Sequence, residues 1–193
     1  MNGFLKELNQ SPVIATARDY SQVDAAIRSR ARAVFILCGT ILTLGEQVRR
    51  VRMSGKRVFV HLDLLGGLGR DATAVEWCYE AARPDGVIST RSPLLKRARE
   101  LNMTTIQRLF VMDSASVEHG VRQFKSYAPD MLEVLPGLVP KAITFLSETL
   151  DIPIIAGGMI TRPEEIKTAL DAGAVGVSTS NEALWETEAD ACR

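Results

Sequence analysis

Short apolar runs and amphipathic segments alternate along the whole chain. Eight apolar runs of strand length are rich in valine and isoleucine and bounded by Gly, Pro or Asp, which is typical of buried parallel strands. They are PVIATA (12–17), AVFILC (33–38), RVFVHLDLL (57–65), GVIST (86–90), TTIQRLFV (104–111), MLEVLPG (131–137), IPIIAGG (152–158) and GVSTS (176–180). The intervening segments have a helical period: Ile41, Leu44 and Val48 share one face, whereas Arg49 and Arg50 fall elsewhere.

Eight strand–helix units predict an α/β fold, a small (β/α)8 TIM-type barrel that forms a single domain over residues 1–193. An open, doubly wound parallel sheet is the alternative. The chain is shorter than the roughly 250 residues usual for such a barrel, so a closed barrel requires short helices and minimal loops.

Composition removes several classes of protein. Hydrophobic residues make up 46% and charged residues 24% of the chain, as in ordinary soluble proteins. No apolar stretch reaches the roughly 18 residues that a membrane helix needs. The first residues, MNGFLKELNQSP, do not resemble a signal peptide, so we expect a cytoplasmic protein without a membrane partner. Cys38, Cys78 and Cys192 show no CxxC spacing, and His61 and His119 are the two histidines, so we expect no metal and no cofactor.

Two adjacent glycines, Gly157 and Gly158, end the seventh apolar run, and Ser178, Thr179 and Ser180 end the eighth. In (β/α)8 barrels the loops after strands seven and eight frequently hold phosphate through backbone N–H groups. Glycine allows a close approach of the backbone to such an anion, although a plain tight turn also explains the pair. The two strand ends together favour a phosphate site.

Polar residues at the other strand ends are candidates for the same face of the barrel. They are Arg18, Asp63, Arg91, Arg108 and Glu133. Alternation along the third apolar run places Phe59, His61 and Asp63 on the inner face. A buried carboxylate such as Glu133 is costly unless it is paired or faces a ligand. A polar network inside the barrel is the other interpretation of these residues.

An enzymatic interpretation uses the same inner groups. A phosphosugar isomerase would take Glu133 or Asp63 as base and His61 as acid. No lysine lies within a predicted strand, which argues against a Schiff-base aldolase. A third interpretation is a barrel that acts only through protein partners, which predicts neither RNA binding nor a response to a ligand.

The chain resembles the glycerol uptake operon antiterminator regulatory proteins from about residue 12 to residue 185. The resemblance depends on HLDLLGGLGRD (61–71), GVISTRSPLLKRA (86–98), IQRLFVMDSAS (106–116), EVLPGLVPK (133–141), IPIIAGGMI (152–160) and GVSTSNEALW (176–185). The elements ISTRS, QRLFVMDS and EVLPG, in this order, are specific to that family. AGG and STS are shared with many phosphate-binding barrels.

The resemblance implies a regulator: an RNA-binding transcription antiterminator that responds to glycerol 3-phosphate and takes the leader mRNA of glycerol-utilisation genes as its partner. It implies that the effector's phosphate lies against residues 157–158 and 178–180, with its hydroxyls near Asp63 and Glu133. Arg91 and Arg108 would complement the phosphate charge, and only one of Gln107 and Arg108 would reach the ligand because they alternate. A homo-oligomer is a further expectation, as one route for coupling ligand to RNA.

Positive charge is concentrated in the first half of the chain. Residues 1–100 carry 16 Lys and Arg against 10 Asp and Glu, whereas residues 101–193 carry 7 against 13. The basic residues precede predicted strands two, three and five, which places them at the amino-terminal face of the barrel, where we expect RNA to bind. They are Arg28, Arg30, Arg32, Arg49, Arg50, Arg52, Lys56, Arg57, Lys96, Arg97 and Arg99. The alternative is that they only complement helix dipoles, and the acidic end, ETEADACR, is a departure from the basic end expected of an RNA binder.

Overall fold

The computed structural model describes residues 2–187, in which eight parallel strands close into a barrel with each strand paired to the next and β8 paired to β1. The strands are β1 (Val13–Ala17), β2 (Ala33–Ile36), β3 (Arg57–His61), β4 (Gly86–Ser89), β5 (Thr104–Phe110), β6 (Met131–Leu135), β7 (Ile154–Gly157) and β8 (Gly176–Thr179). The predicted (β/α)8 barrel is confirmed, and the open sheet is wrong.

A helix precedes the first strand, and the other helices follow strands on the outside of the barrel. They are α1 (Asn2–Gln10), α2 (Tyr20–Arg28), α3 (Leu44–Met53), α4 (Ala72–Trp77, continued by a π-helical turn Cys78–Ala82), α5 (Ser92–Glu100), α6 (Ser114–Tyr127), α7 (Pro140–Thr149) and α8 (Pro163–Asp171). A short 3₁₀ helix, Glu182–Glu186, follows β8. Three begin with an aspartate cap: Asp19, Asp71 and Asp113 each accept a backbone N–H of the first helical turn.

Alternation along the strands separates two cores. The outward side chains, such as Val34, Val58 and Val177, pack under the helices. The inward ones form a second core across the lower half of the barrel, which contains Ile14, Phe35, Phe59, Ile88, Ile106, Met131 and Ile155. The barrel is thus filled with apolar side chains below, and its inward polar side chains lie nearer the carboxyl ends of the strands.

Helix α1 closes the amino-terminal end of the barrel. Phe4 and Leu8, one turn apart, are buried in the inner core, and the ring of Phe4 lies 4.7 Å from that of Phe59. Glu7 of the same helix pairs with Arg57 at the start of β3, at 3.2 Å. The helix therefore acts as a floor that the apolar inner residues need.

The third strand is shorter than predicted, and this changes the position of Asp63. The run 57–65 was expected to be one strand, but β3 ends at His61 and residues Leu62–Leu64 form a turn of 3₁₀ helix. His61 points into the barrel as predicted, whereas the placement of Asp63 on the inner face by strand alternation is wrong.

Cys78 is buried under the helices, and burial raises the pKa of its thiol to about 12; Cys192 lies outside the described residues.

Candidate functional site

A cavity of about 500 Å³ opens at the carboxyl ends of the strands, between β1 and β8 on one side and β5 to β7 on the other. Seven of the predicted ligand-binding residues line it: Arg18, Arg108, Glu133, Gly158, Ser178, Thr179 and Ser180. Gly157, Asp63 and Arg91 are not among the lining residues. This is the end of the barrel where (β/α)8 proteins carry their sites, and the volume suits a small ligand.

A buried ion pair forms one wall of the cavity. Arg108 on β5 donates from Nε to Oε2 of Glu133 on the neighbouring β6 at 2.8 Å, and both side chains are more than 90% buried. The hydroxyl of Ser178 on β8 donates to the other carboxylate oxygen, Oε1, at 2.7 Å. Because both oxygens of Glu133 accept hydrogen bonds and its charge is matched, the carboxylate has the partners that a buried charge requires. This is the polar network that the sequence left as one of two interpretations.

The two glycines at the end of β7 have different surroundings. A Cβ on Gly157 would collide with the Ser178 hydroxyl and would lie 2.8 Å from Oε1 of Glu133. Gly157 therefore leaves room for the Glu133–Ser178 hydrogen bond at the cavity wall. Gly158 lines the cavity and has a φ of +77°, a conformation that glycine adopts without strain. An anion-facing role remains a prediction for both.

The first residues of α8 are capped by the protein itself. The Glu165 carboxylate accepts the backbone N–H groups of Thr161, at 2.7 Å, and Arg162, at 3.0 Å. The hydrogen bond from the Thr161 N–H is the main cause of the lowered pKa of Glu165. An anion in the cavity would therefore not meet these two N–H groups. The N–H groups of Gly158 and Ser180 donate to no backbone carbonyl within residues 2–187 and lie at the cavity wall.

Thr16 on β1 and Arg18, the residue after its end, both line the cavity. Thr16 is 8% exposed, and its Oγ1 has no hydrogen-bond partner among the described groups. Arg18, two residues further on, is exposed at the mouth, and its guanidinium makes no hydrogen bond or salt bridge to any residue in the described part of the chain. The cavity thus has a neutral hydroxyl in its wall and a cation at its rim.

Asp63 and His61 lie beside the cavity. The Asp63 carboxylate accepts the Ser89 hydroxyl and the N–H of Thr90, at 3.0 and 2.8 Å, and lies 3.5 Å from Arg91. It therefore links the end of β3 to the end of β4. His61 is 2% exposed, and its Nδ1 has no hydrogen-bond partner in the described chain. Burial, followed by the Arg108 charge, lowers its pKa to about 4, so the imidazole is neutral at pH 7.

A set of hydrogen bonds connects the cavity wall to the 3₁₀ helix 182–186. The Thr179 hydroxyl donates to the carbonyl of Ile160, and the Asn181 amide donates to that of Thr161, at 2.8 and 2.9 Å. The buried indole of Trp185 donates to the Thr179 carbonyl at 2.8 Å. The loop after β7 and the turn after β8 are therefore held together.

The predicted basic residues of the amino-terminal face have protein partners. Carboxylates pair with Arg49 (Glu46), Arg50 (Asp24), Arg57 (Glu7 and Asp85), Arg97 (Glu76 and Glu100) and Arg30 (Glu186). Neutral oxygens accept from Arg32 (Gln10), Arg52 (the Arg83 carbonyl), Lys56 (the Ser29 and Ala31 carbonyls) and Arg99 (the Ala128 carbonyl). RNA binding by these residues remains a prediction.

Several lining residues were not predicted as ligand-binding: Thr16, Leu37, Leu135, Met159, Ile160, Thr161 and Asn181. Thr16 and Leu37 had a usable signal, because each belongs to the inner face at the end of an apolar run. Met159 is exposed and has a φ of +64°. A positive φ is uncommon outside glycine, and no pattern in the sequence predicts it at this residue.

Other kinds of site find no support among residues 2–187. No group of three or more His, Cys, Asp or Glu side chains there is arranged to hold a metal ion. Over the same residues, none of the helices combines the length and apolar character needed to span a bilayer.

Comparison with known proteins gives one consistent result. Residues 13–185 match the model of a family described as glycerol-3-phosphate responsive antiterminators. The Escherichia coli K12 protein YgcP is 35% identical over 178 residues, covering 92% of this chain and 93% of its own.

Two solved structures agree. The glycerol uptake operon antiterminator regulatory protein of Listeria monocytogenes is 32% identical, with a TM-score of 0.89 over 92% of this chain and 96% of that one. A glycerol uptake operon antiterminator-related protein of Thermotoga maritima is 29% identical, with a TM-score of 0.83 over 92% and 99%. The chain therefore belongs to the glycerol-3-phosphate responsive antiterminator family.

Proposed function

We propose that this protein is a cytoplasmic antiterminator that binds glycerol 3-phosphate as an effector and binds the leader mRNA of glycerol-utilisation genes. The observation that carries the ligand half is the cavity wall at the end of β1. Within residues 2–187, neither the Thr16 hydroxyl inside nor the Arg18 guanidinium at the mouth has a hydrogen-bond partner. A small phosphoester with a polyol carbon chain has a phosphate at one end that matches the Arg18 cation and hydroxyls at the other end that match the Thr16 hydroxyl.

The phosphate is placed at the mouth of the cavity in this proposal. The Arg18 guanidinium and the N–H groups of Gly158 and Ser180 provide donors there, and an ionised acceptor strengthens each of these hydrogen bonds. The glycerol hydroxyls then face Thr16 and Ser178 in the wall. The Glu133–Arg108 pair acts as a fixed frame for these groups, since each already satisfies the other.

The cavity favours binding over catalysis. No lysine, histidine or cysteine is among its described lining residues, and its one carboxylate, Glu133, is already bonded to Arg108 and Ser178. The isomerase-like alternative takes Glu133 or Asp63 as base and His61 as acid. Asp63 is bonded to Ser89 and Thr90, and neither Asp63 nor His61 lines the cavity. An effector role therefore has more support than an enzymatic one.

Calorimetric titration with glycerol 3-phosphate, glycerol and inorganic phosphate tests the ligand half. We expect selective binding of the phosphoester. Arg18→Gln should weaken it by roughly tenfold or more, because a charge-assisted hydrogen bond is lost. Thr16→Val should lower the affinity for glycerol 3-phosphate by up to about tenfold and leave the affinity for inorganic phosphate unchanged, because only a hydroxyl contact is removed.

Arg70→Gln is the matched control, since Arg70 is an exposed arginine that does not line the cavity. Equal affinities in wild type, Arg18→Gln and Thr16→Val would contradict the cavity assignment. The RNA half is tested by transcription of a leader that contains a terminator: read-through should rise when protein and glycerol 3-phosphate are both present, and an unchanged read-through would contradict it.

A further inference from the structure

The basic residues of the amino-terminal face differ in how well their charge is neutralised. Arg49, Arg50, Arg57 and Arg97 each have a carboxylate within 3.2 Å, so their charges are locally matched. Arg32 and Lys56 donate only to neutral oxygens within the described chain, and Arg28 has no side-chain partner there. Only the latter kind of cation offers a full charge to an incoming phosphate.

Arg28, Arg32 and Lys56 lie together, and Arg30, which pairs with Glu186, lies between them in the chain. Arg28 ends α2, Arg30 and Arg32 are in the loop from α2 to β2, and Lys56 reaches that loop by donating to the carbonyls of Ser29 and Ala31. The three arginines are exposed, and Lys56 is half-buried. We name Arg28, Arg30, Arg32 and Lys56 the α2–β2 basic surface. It is one corner of the amino-terminal face, adjacent to β1.

A carboxylate of the 3₁₀ helix Glu182–Glu186 lies at this surface. Oε2 of Glu186 is 3.8 Å from Nε of Arg30, and the two side chains are 57% and 62% exposed. The Glu186 charge also acts on Lys56, whose pKa it raises against the larger lowering effect of burial. An ion pair this long and this exposed contributes little to stability, so a polyanion can displace it.

Glu186 is on an element that starts at the cavity. The 3₁₀ helix Glu182–Glu186 is capped by Asn181, which lines the cavity, and is anchored by the buried Trp185. The same short helix therefore has one end at the proposed ligand site and the other at the α2–β2 basic surface. A displacement of Asn181 by a ligand would be transmitted to Glu186 over a single turn and a half of helix.

We propose that the α2–β2 basic surface binds the phosphodiester backbone of RNA and that Glu186 competes with RNA for it. The inference rests on the proposed function and narrows its RNA partner to one surface. The proposal selects these four residues from the wider set. Carboxylates inside the protein neutralise Arg49, Arg50, Arg57 and Arg97. The other predicted cations, Arg52, Lys96 and Arg99, lie on α3 and α5, outside the loop from α2 to β2.

The experiment measures binding of a fluorescent single-stranded RNA of about 16 nucleotides and mixed sequence between about 50 and 200 mM salt. Arg28→Gln with Arg32→Gln should weaken binding and reduce the slope of log affinity against log salt by about 1.4, since each lost phosphate contact on a single strand removes about 0.7. Arg122→Gln with Lys167→Gln, exposed cations on α6 and α8 that remove the same net charge, is the control.

The competing carboxylate is tested in the same assay. Glu186→Gln should raise RNA affinity about threefold, whereas Glu182→Gln, at the other end of the same helix, should leave it unchanged. Equal slopes for the two double variants, or no gain in Glu186→Gln, would overturn the inference while leaving RNA binding intact. Failure of the wild-type protein to bind either this RNA or a leader transcript would overturn the proposed function as well.

Discussion

At the scale of single residues, His61 ties the protonation of the barrel interior to the stability of the fold. Burial and the Arg108 charge hold its pKa at about 4, against 6.5 for an exposed histidine, and Asp63 opposes this only in part. Below pH 6.5 the His61 imidazole is therefore protonated in the unfolded chain, whereas in the folded protein it stays neutral until about pH 4. The contribution of His61 to the free energy of unfolding is therefore fully present above pH 6.5. It is lost as the pH falls towards 4, and the total loss is about 3 kcal/mol.

Urea unfolding of wild type and His61→Gln between about pH 4 and pH 7 measures this contribution. The variant should show a shallower pH dependence over that window, because glutamine does not titrate. His119→Gln, which replaces an exposed imidazole on α6, should keep the wild-type dependence. Identical pH profiles for wild type and His61→Gln would show that the interior histidine takes up its proton without opposition from the fold.

The same scale shows what the sequence predicts of the site. Glu133 was identifiable because a carboxylate alone among apolar strand residues needs a partner, and Ser178 because it ends a strand that precedes a turn. Their mutual hydrogen bond was not predictable, since the two residues are 45 positions apart in the chain and their side chains meet over β7, at Gly157. Sequence alone therefore did not show that Gly157 leaves room for this contact, and its role beside an anion stays a prediction.

At the scale of elements, α1 has a larger role than its position before the first strand suggests. Phe4→Ala should destabilise the protein by about 3 kcal/mol, because it leaves a cavity between the helix and Phe59 at the floor of the barrel. Lys6→Ala, an exposed change on the same helix, should alter stability by less than about 0.5 kcal/mol. Chemical denaturation compares the two; equal effects would mean that the floor contributes little to the fold.

Elements were predicted well where a hydrophobic period and a boundary residue coincide. All eight strands follow from the apolar runs, but the length of β3 does not. The alternation of HLDL continues past His61, whereas the backbone turns into a 3₁₀ helix in which Asp63 accepts hydrogen bonds from Ser89 and Thr90 of the next strand. These partners belong to tertiary structure, and periodicity along one segment carries no information about them.

At the scale of the whole molecule, the cavity proposed to bind glycerol 3-phosphate and the basic residues of the amino-terminal face occupy opposite ends of the barrel. A regulator needs a free energy of coupling between two such sites, which requires an element whose contacts differ between the liganded and free states. We propose the 3₁₀ helix 182–186 for this role. It is short, is joined to the cavity wall through Asn181 and Trp185, and brings Glu186 to within 3.8 Å of Arg30 at the other end.

Reciprocity turns this coupling into a quantitative prediction. The factor by which saturating glycerol 3-phosphate changes RNA affinity must equal the factor by which RNA changes the affinity for glycerol 3-phosphate.

In Glu186→Gln both factors should move together towards one, because the side chain proposed to link the cavity to the α2–β2 basic surface has lost its charge. Glu182→Gln should keep the wild-type factor. Fluorescence titration of RNA with and without ligand, and calorimetry of ligand with and without RNA, measure the two factors independently. A coupling factor that persists undiminished in Glu186→Gln would assign the communication to the barrel itself, since the helix would then contribute nothing to it.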